Sequence, residues 1–166
     1  MCERSAQRTQ LEPPDLTADT ATGSVSPRAP DAVVTRPQPD ATGDPIGAVL
    51  IIDDEDILRE TSQDILSQFG YRTYGATSCA EAEQTVQEHG AELDCVLLDL
   101  SMPGVSGPET FRRIREIKPD LKVVIVSGYD AQDGLRGFPP GATAGYLQKP
   151  FNLKALHAEL QRIIHA

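Results

Sequence analysis

The chain has 166 residues, 24% charged and 39% hydrophobic, which is one domain with some chain left over and too little for a large two-domain enzyme. With 15 basic against 25 acidic residues, net −10, it lacks the basic footprint of a nucleic-acid binder and would be repelled by an anionic membrane surface. No apolar run is long enough to span a bilayer, no apolar segment near the N-terminus reads as a signal peptide, and Cys2, Cys79 and Cys95 lack CxxC spacing, so a cytoplasmic protein without a disulfide framework or zinc finger is expected.

Residues 1–45 hold seven of the 13 prolines, no aromatic residue and only six Met, Ile, Leu or Val. Such a segment cannot bury enough apolar surface to offset its ordering entropy, so a disordered Pro-rich tail is expected there and a folded domain over 46–166. The acidity stays with the domain, which keeps 18 acidic and 11 basic residues. Strand and helix signals then alternate. Residues 48–52 form a continuous apolar run, as in a strand buried on both faces. Ile57, Thr61, Ile65 and Phe69 fall at a spacing of four, the stripe of a first helix that Gly70 ends. A short strand over 71–74 follows. Ser78-Cys79-Ala80-Glu81 has the capping-box pattern and opens a second helix, closed by Gly90. A buried strand is expected over 94–98, with Cys95 as a small core residue. Phe111, Ile114 and Ile117 mark a third helix that stops before Pro119, and 122–126 reads as a fourth strand. Residues 130–141 contain Gly134, Gly137, Pro139, Pro140 and Gly141, so a fourth helix there should be short and mobile, followed by a loop. A fifth strand over 144–148 precedes a last helix striped by Leu153, Leu156, Leu160, Ile163 and Ile164.

Single helices between strands imply a parallel sheet with right-handed crossovers and helices on both faces. In such sheets chemistry lies beyond the carboxyl ends of the strands. Those ends carry Asp53-Asp54, Asp99, Ser127-Gly128 and Gln148-Lys149-Pro150. Three carboxylates on one rim repel one another, which a bound divalent cation relieves, and oxygen donors with room for water and phosphate suit Mg²⁺. Taken singly, each piece has a bland reading: acids after a strand favour a helix N-terminus, Ser-Gly is a turn, and a lysine before proline is solvated. Together, in order at successive strand ends, they favour a common site. His89, His157 and His165 read as surface histidines.

The set Asp53-Asp54, Asp99-Leu100-Ser101-Met102-Pro103 with Gly107, Ser127-Gly128 and Lys149-Pro150-Phe151 resembles the receiver domain of response regulators, over about residues 46–166. These are the phosphoacceptor modules of two-component signalling. The resemblance implies a doubly wound, flavodoxin-like α/β fold with a five-stranded parallel sheet in the order 2-1-3-4-5. It implies that Asp99 takes a phosphoryl group from a sensor histidine kinase or a histidine phosphotransfer protein, with Mg²⁺ as cofactor. Asp54 would bind the metal directly and Asp53 mainly through water, with Asp99 and the Ser101 carbonyl as further ligands. Lys149 would neutralise charge, Ser127 would donate to a phosphoryl oxygen, and Ser127 with Tyr146 would switch binding of an unknown protein target. No turnover of an external substrate is expected beyond slow autodephosphorylation. Only 17 residues follow Lys149, so a single-domain or hybrid-kinase-type receiver without DNA-binding output is expected. Two other readings stay open. A haloacid-dehalogenase-like phosphohydrolase shares the strand-end aspartate, Mg²⁺, hydroxyl and lysine, and Asp54-Glu55-Asp56 mimics its DxD, but no acidic pair follows Lys149. A receiver-like scaffold would never be phosphorylated.

Overall fold

The computed structural model describes residues 44–166, so the disordered-tail expectation for 1–45 lies almost wholly outside the described residues. The elements are β1 (Ala48–Ile52), α1 (Asp56–Gln68), β2 (Arg72–Ala76), α2 (Cys79–His89), β3 (Cys95–Asp99), α3 (Gly107–Ile117), β4 (Lys122–Ser127), α4 (Ala131–Gly134), β5 (Gly145–Gln148) and α5 (Leu153–Ile164). The five strands form one sheet in the order β2-β1-β3-β4-β5, parallel at every pairing. This is the doubly wound order the resemblance implied.

The apolar runs explain the layering. Successive strand residues face opposite sides of a sheet. Leu50, Ile52, Val96, Leu98, Val123 and Ile125 therefore join Ala82, Val86, Phe111 and Ile114 of α2 and α3 in one cluster. Val49, Ile51, Cys95, Leu97, Val124 and Val126 join Leu66 of α1 and Leu156, Leu160 and Ile163 of α5 in the other. Every residue of β1 and β3 is buried, so the strands that end in acids are the best-held ones. Side chains of Ser78, Ser106 and Asn152 cap α2, α3 and α5. The capping box at Ser78 is half made. Its hydroxyl accepts from the Glu81 amide, but the Glu81 carboxylate turns to Thr77, accepting from its amide at 2.7 Å and its hydroxyl at 2.9 Å.

Three local expectations need correction. The stripe of α1 points the wrong way: Ile57 is 75% exposed and Phe69 39%, while Gln63 and Leu66 are buried. The cause lies in β2. A Cβ at Gly75 would stand 3.1 Å from Gln63 Nε2 and 3.2 Å from Arg59 Cδ, so the missing side chain admits these two polar residues. Arg59, Gln63 and Leu66, at helical spacing, make the inner face instead. Second, α4 is short as expected, but the segment after it is anchored. Leu135, Phe138 and Ala142 pack against the core, and Phe138 meets the Phe111 ring edge-on at 5.4 Å. Third, only His165 is exposed. His89 stacks on Tyr74 at 4.5 Å, and His157 stacks on Phe69 at 4.3 Å with Tyr71 edge-on at 5.8 Å. An imidazole offers a flat face to an aromatic ring as readily as a polar edge to water.

The reversed face of α1 gives a test. Leu66→Ala should lower stability by about 2–5 kcal/mol in urea denaturation, whereas Ile57→Ala should change it by less than about 0.5 kcal/mol. Comparable losses from both would show that the stripe is packed after all.

Candidate functional site

The carboxyl ends of β1, β3, β4 and β5 meet on one rim. β1 lies beside β3, which places Asp53 next to Asp99 and leaves Asp54 at the start of the turn into α1. Carboxylate oxygens of Asp53, Asp54 and Asp99 all lie within 4.8 Å of one another. Asp53 and Asp99 are buried and Asp54 is exposed.

The two buried acids are held in the same way. Asp53 Oδ1 accepts from the Glu55 amide at 2.8 Å, and Asp99 Oδ1 accepts from the Ser101 amide at 3.0 Å. Their Oδ2 atoms face Lys149, whose Nζ lies 2.8 Å from Asp99 and 3.5 Å from Asp53. Lys149 follows β5, and its backbone amide donates to the Ser127 carbonyl at 2.7 Å, so β4 fixes where the ammonium starts. The hydroxyl of the buried Ser127 accepts from the Tyr129 amide at 3.1 Å. Tyr146 is half-buried, and its phenol donates to the carbonyls of Tyr129 at 2.6 Å and Asp130 at 3.1 Å. Ser101 is exposed beside Asp99.

The response regulator receiver domain family matches residues 49–161. The chain belongs to this family. The receiver is 37% identical over 116 residues to the sensor kinase CckA of Brucella abortus, covering 70% of this chain and 12% of the kinase. It is 30% identical over 118 residues to the response regulator receiver protein CpdR of the same organism, covering 71% of this chain and 97% of that protein. A solved receiver domain from Clostridium thermocellum superposes with a TM-score of 0.67 at 27% identity, covering 72% of this chain and 95% of that one. The chain thus spans a small part of the kinase and nearly all of the free-standing regulator. The fold and the phosphoacceptor role of response regulators are shared. Among the described residues, no helix is long and apolar enough to cross a membrane.

Electrostatics set the state of the receiver's site. Burial pushes the Asp53 carboxyl above its ordinary value, and Asp99 adds to this, while the Glu55 amide and Lys149 act in the other direction. Burial disfavours the Lys149 ammonium, but the hydrogen bond and charge of Asp99, with those of Asp53, outweigh it and hold its pKa above the ordinary lysine value. The donor set is all oxygen, three carboxylates with one open to solvent, and it fits a hard divalent cation.

The sequence placed every one of Asp53, Asp54, Asp99, Ser101, Ser127, Tyr146 and Lys149 on this rim or beside it. It missed Arg59, whose side chain is 12% exposed and whose Nη1 donates to the Asp53 carbonyl at 3.0 Å. The sequence reading ended the second strand at Tyr74, whereas β2 runs over Arg72–Ala76 and so holds Gly75 inside it, the sign of a close neighbour.

The Asp53 shift fixes the sign of a pH effect. The folded chain binds that proton more tightly than the unfolded one. The contribution favours folding below the unfolded value of 3.8 and is lost as pH rises through the raised folded value. At neutral pH and without metal, the ionised Asp53 therefore opposes folding. Asp53→Asn should raise the urea midpoint at pH 7, and the gain should shrink as the pH is lowered toward 4. A midpoint at or below wild type at pH 7 would show that the lost pairing with Lys149 outweighs relief of burial and repulsion.

Proposed function

We propose that Asp99 is the phosphoacceptor and that the receiver takes its phosphoryl group from a histidine kinase or histidine phosphotransfer protein. The observation that carries this is the setting of Asp99, buried between two further acids with Lys149 Nζ 2.8 Å from its Oδ2. In the reaction a carboxylate oxygen of Asp99 bonds to phosphorus, the P–N bond of the phosphohistidine breaks, and the donor imidazole leaves with the electron pair. Lys149 offers its charge to the incoming phosphoryl oxygens, and the Ser127 hydroxyl turns to donate to one of them. Asp54, Asp99 and the Ser101 carbonyl, with Asp53 mainly through water, would hold Mg²⁺, which would supply positive charge to the transferring group.

A donor also needs a place to dock. A cavity of about 540 Å³ opens beside the acids, with Asp53, Asp99 and Lys149 among its lining and Leu58, Thr61, Ile65, Phe151 and Leu153 around them. Ile57, outside it on the same helix, is 75% exposed. An apolar helix face carrying a phosphohistidine fits this surface better than a small hydrophilic substrate does. The acidic balance of the domain supports a protein target over DNA.

Ser127 and Tyr146 form the switch in this reading. The Ser127 hydroxyl now holds the Tyr129 amide, and the Tyr129 carbonyl holds the Tyr146 phenol. When Ser127 turns to the phosphoryl group it releases Tyr129, and the phenol loses the fixed position of its acceptors. The place of the ring also depends on Gly134, where a Cβ would lie 2.4 Å from the Tyr146 hydroxyl oxygen.

Acetyl phosphate with Mg²⁺ tests the acceptor. The wild type should take up label that Asp99→Asn does not, while both melt as folded proteins. Uptake by Asp99→Asn at the wild-type rate would move the site elsewhere, and steady phosphate release without accumulation would favour a phosphohydrolase. Hydrogen exchange tests the switch. A beryllofluoride mimic should change protection around Ser127, Tyr129 and Tyr146 in the wild type and leave Asp99→Asn unchanged. No change in the wild type would favour a passive scaffold.

A further inference from the structure

Arg59 has no part in the site as the sequence describes it, yet its surroundings single it out. It lies on the inner face of α1, and its side chain is 12% exposed although the partner carboxylate, Asp56, is 74% exposed. One arm of the guanidinium donates to Asp56 at 2.5 Å and the other to the Asp53 carbonyl at 3.0 Å. That carbonyl lies past the end of the ladder, because the last registered pairs of β1 are Ile52 with Ala76 and Ile52 with Leu98. The Asp53 amide still reaches the Ala76 carbonyl at 3.1 Å, but its own carbonyl belongs to the peptide that joins Asp53 to Asp54. A backbone carbonyl at a buried strand end needs a donor, and here a side chain supplies it.

The chain makes room for this contact from a second element. Gly75 in β2 stands under the arginine stem, where a Cβ would come within 3.2 Å of Arg59 Cδ. Gly is unfavourable inside a strand unless another group needs the space. The glycine, the buried stem and the two-armed contact therefore belong together.

We propose that Arg59 is a positioning residue that fixes the peptide between Asp53 and Asp54 and so holds this pair of acids ready for a divalent cation. Rotation of that peptide would swing the Asp54 carboxylate relative to Asp53, and the guanidinium blocks it with a planar fork braced on Asp56. This rests on the reading of Asp53, Asp54 and Asp99 as metal ligands. Charge and position predict opposite signs. A guanidinium that merely lay near the acids would repel Mg²⁺, so its removal would tighten binding. A guanidinium that holds the ligands in place weakens binding when lost, on the order of 10-fold as for other residues that orient metal ligands.

The experiment is calorimetric titration of the purified protein with MgCl₂, with thermal melting of the metal-free protein alongside. Arg59→Ala should raise the Mg²⁺ dissociation constant roughly 10-fold. Arg59→Lys should stay weaker than wild type, because a point charge cannot span both acceptors. Gly75→Ala, which crowds the stem from β2 and leaves every acid in place, should weaken binding in the same direction. Unchanged or tighter Mg²⁺ binding by a folded Arg59→Ala would overturn the proposal. If that variant does not fold, wild-type affinity in Arg59→Lys would overturn it instead. A wild type that binds no Mg²⁺ would overturn the metal reading itself, which is a separate result from a wild type that binds while the variants match it.

Discussion

Two carboxylates lie almost fully out of water at the edge of the sheet, and the rest of the site is arranged around keeping them there. Asp53 is 7% exposed and Asp99 4%. Burying an ionised carboxylate costs several kcal/mol unless it is paired and hydrogen-bonded. Both acids meet this alike, with one oxygen on the backbone amide two residues ahead and the other toward Lys149. One ammonium thus serves two buried acids, and Asp54 stays in solvent. The strand order makes this possible, because β1 and β3 are neighbours and Lys149 reaches back from β5 across β4.

The opposite end of the sheet shows the complementary pattern. There lysines meet backbone carbonyls: Lys118 Nζ donates to Gly90 and Leu93 at 2.6 and 2.7 Å, and Lys122 Nζ donates to Ile163 at 2.5 Å. Gly90 closes α2 and Ile163 lies in the last turn of α5, where the helix dipole favours cations. Asp53 and Asp54 stand just before α1, at the favourable end for anions. Between these edges lie the two apolar clusters. The sheet is therefore a stiff apolar plate with charged groups gathered at its two ends, and the buried acids lie at the carboxyl end.

Sheet and site were legible because the same feature writes both: a buried parallel strand is a run of apolar residues, and the first polar residue after it marks the rim. Asp53, Asp99 and Ser127 follow that rule, and Lys149 stands one residue further on, after Gln148. What was not legible depends on partners remote in sequence. The apolar stripe of α1 gave the helix but not its orientation, because Gly75 decides which face fits and lies in another element. Phe138 hid among glycines and prolines, and its anchor, Phe111, is on α3. His89 and His157 looked like surface residues because nothing local announces the rings they stack on.

Lys149 also explains why a change at Asp99 should be felt on β5. Its side chain is tied to Asp99 and Asp53, its amide to the Ser127 carbonyl, and three residues earlier on the same strand Tyr146 reaches the loop that Ser127 holds. An aspartyl phosphate would carry about two negative charges where the carboxylate carried one, with three acceptor oxygens on phosphorus. In the proposed reaction the ammonium and the hydroxyl that would answer that charge are the same groups that fix β5 and the 129–130 turn. They could not serve both arrangements with unchanged geometry, so on this proposal neutralising the new charge and moving the Tyr146 surface would be one event.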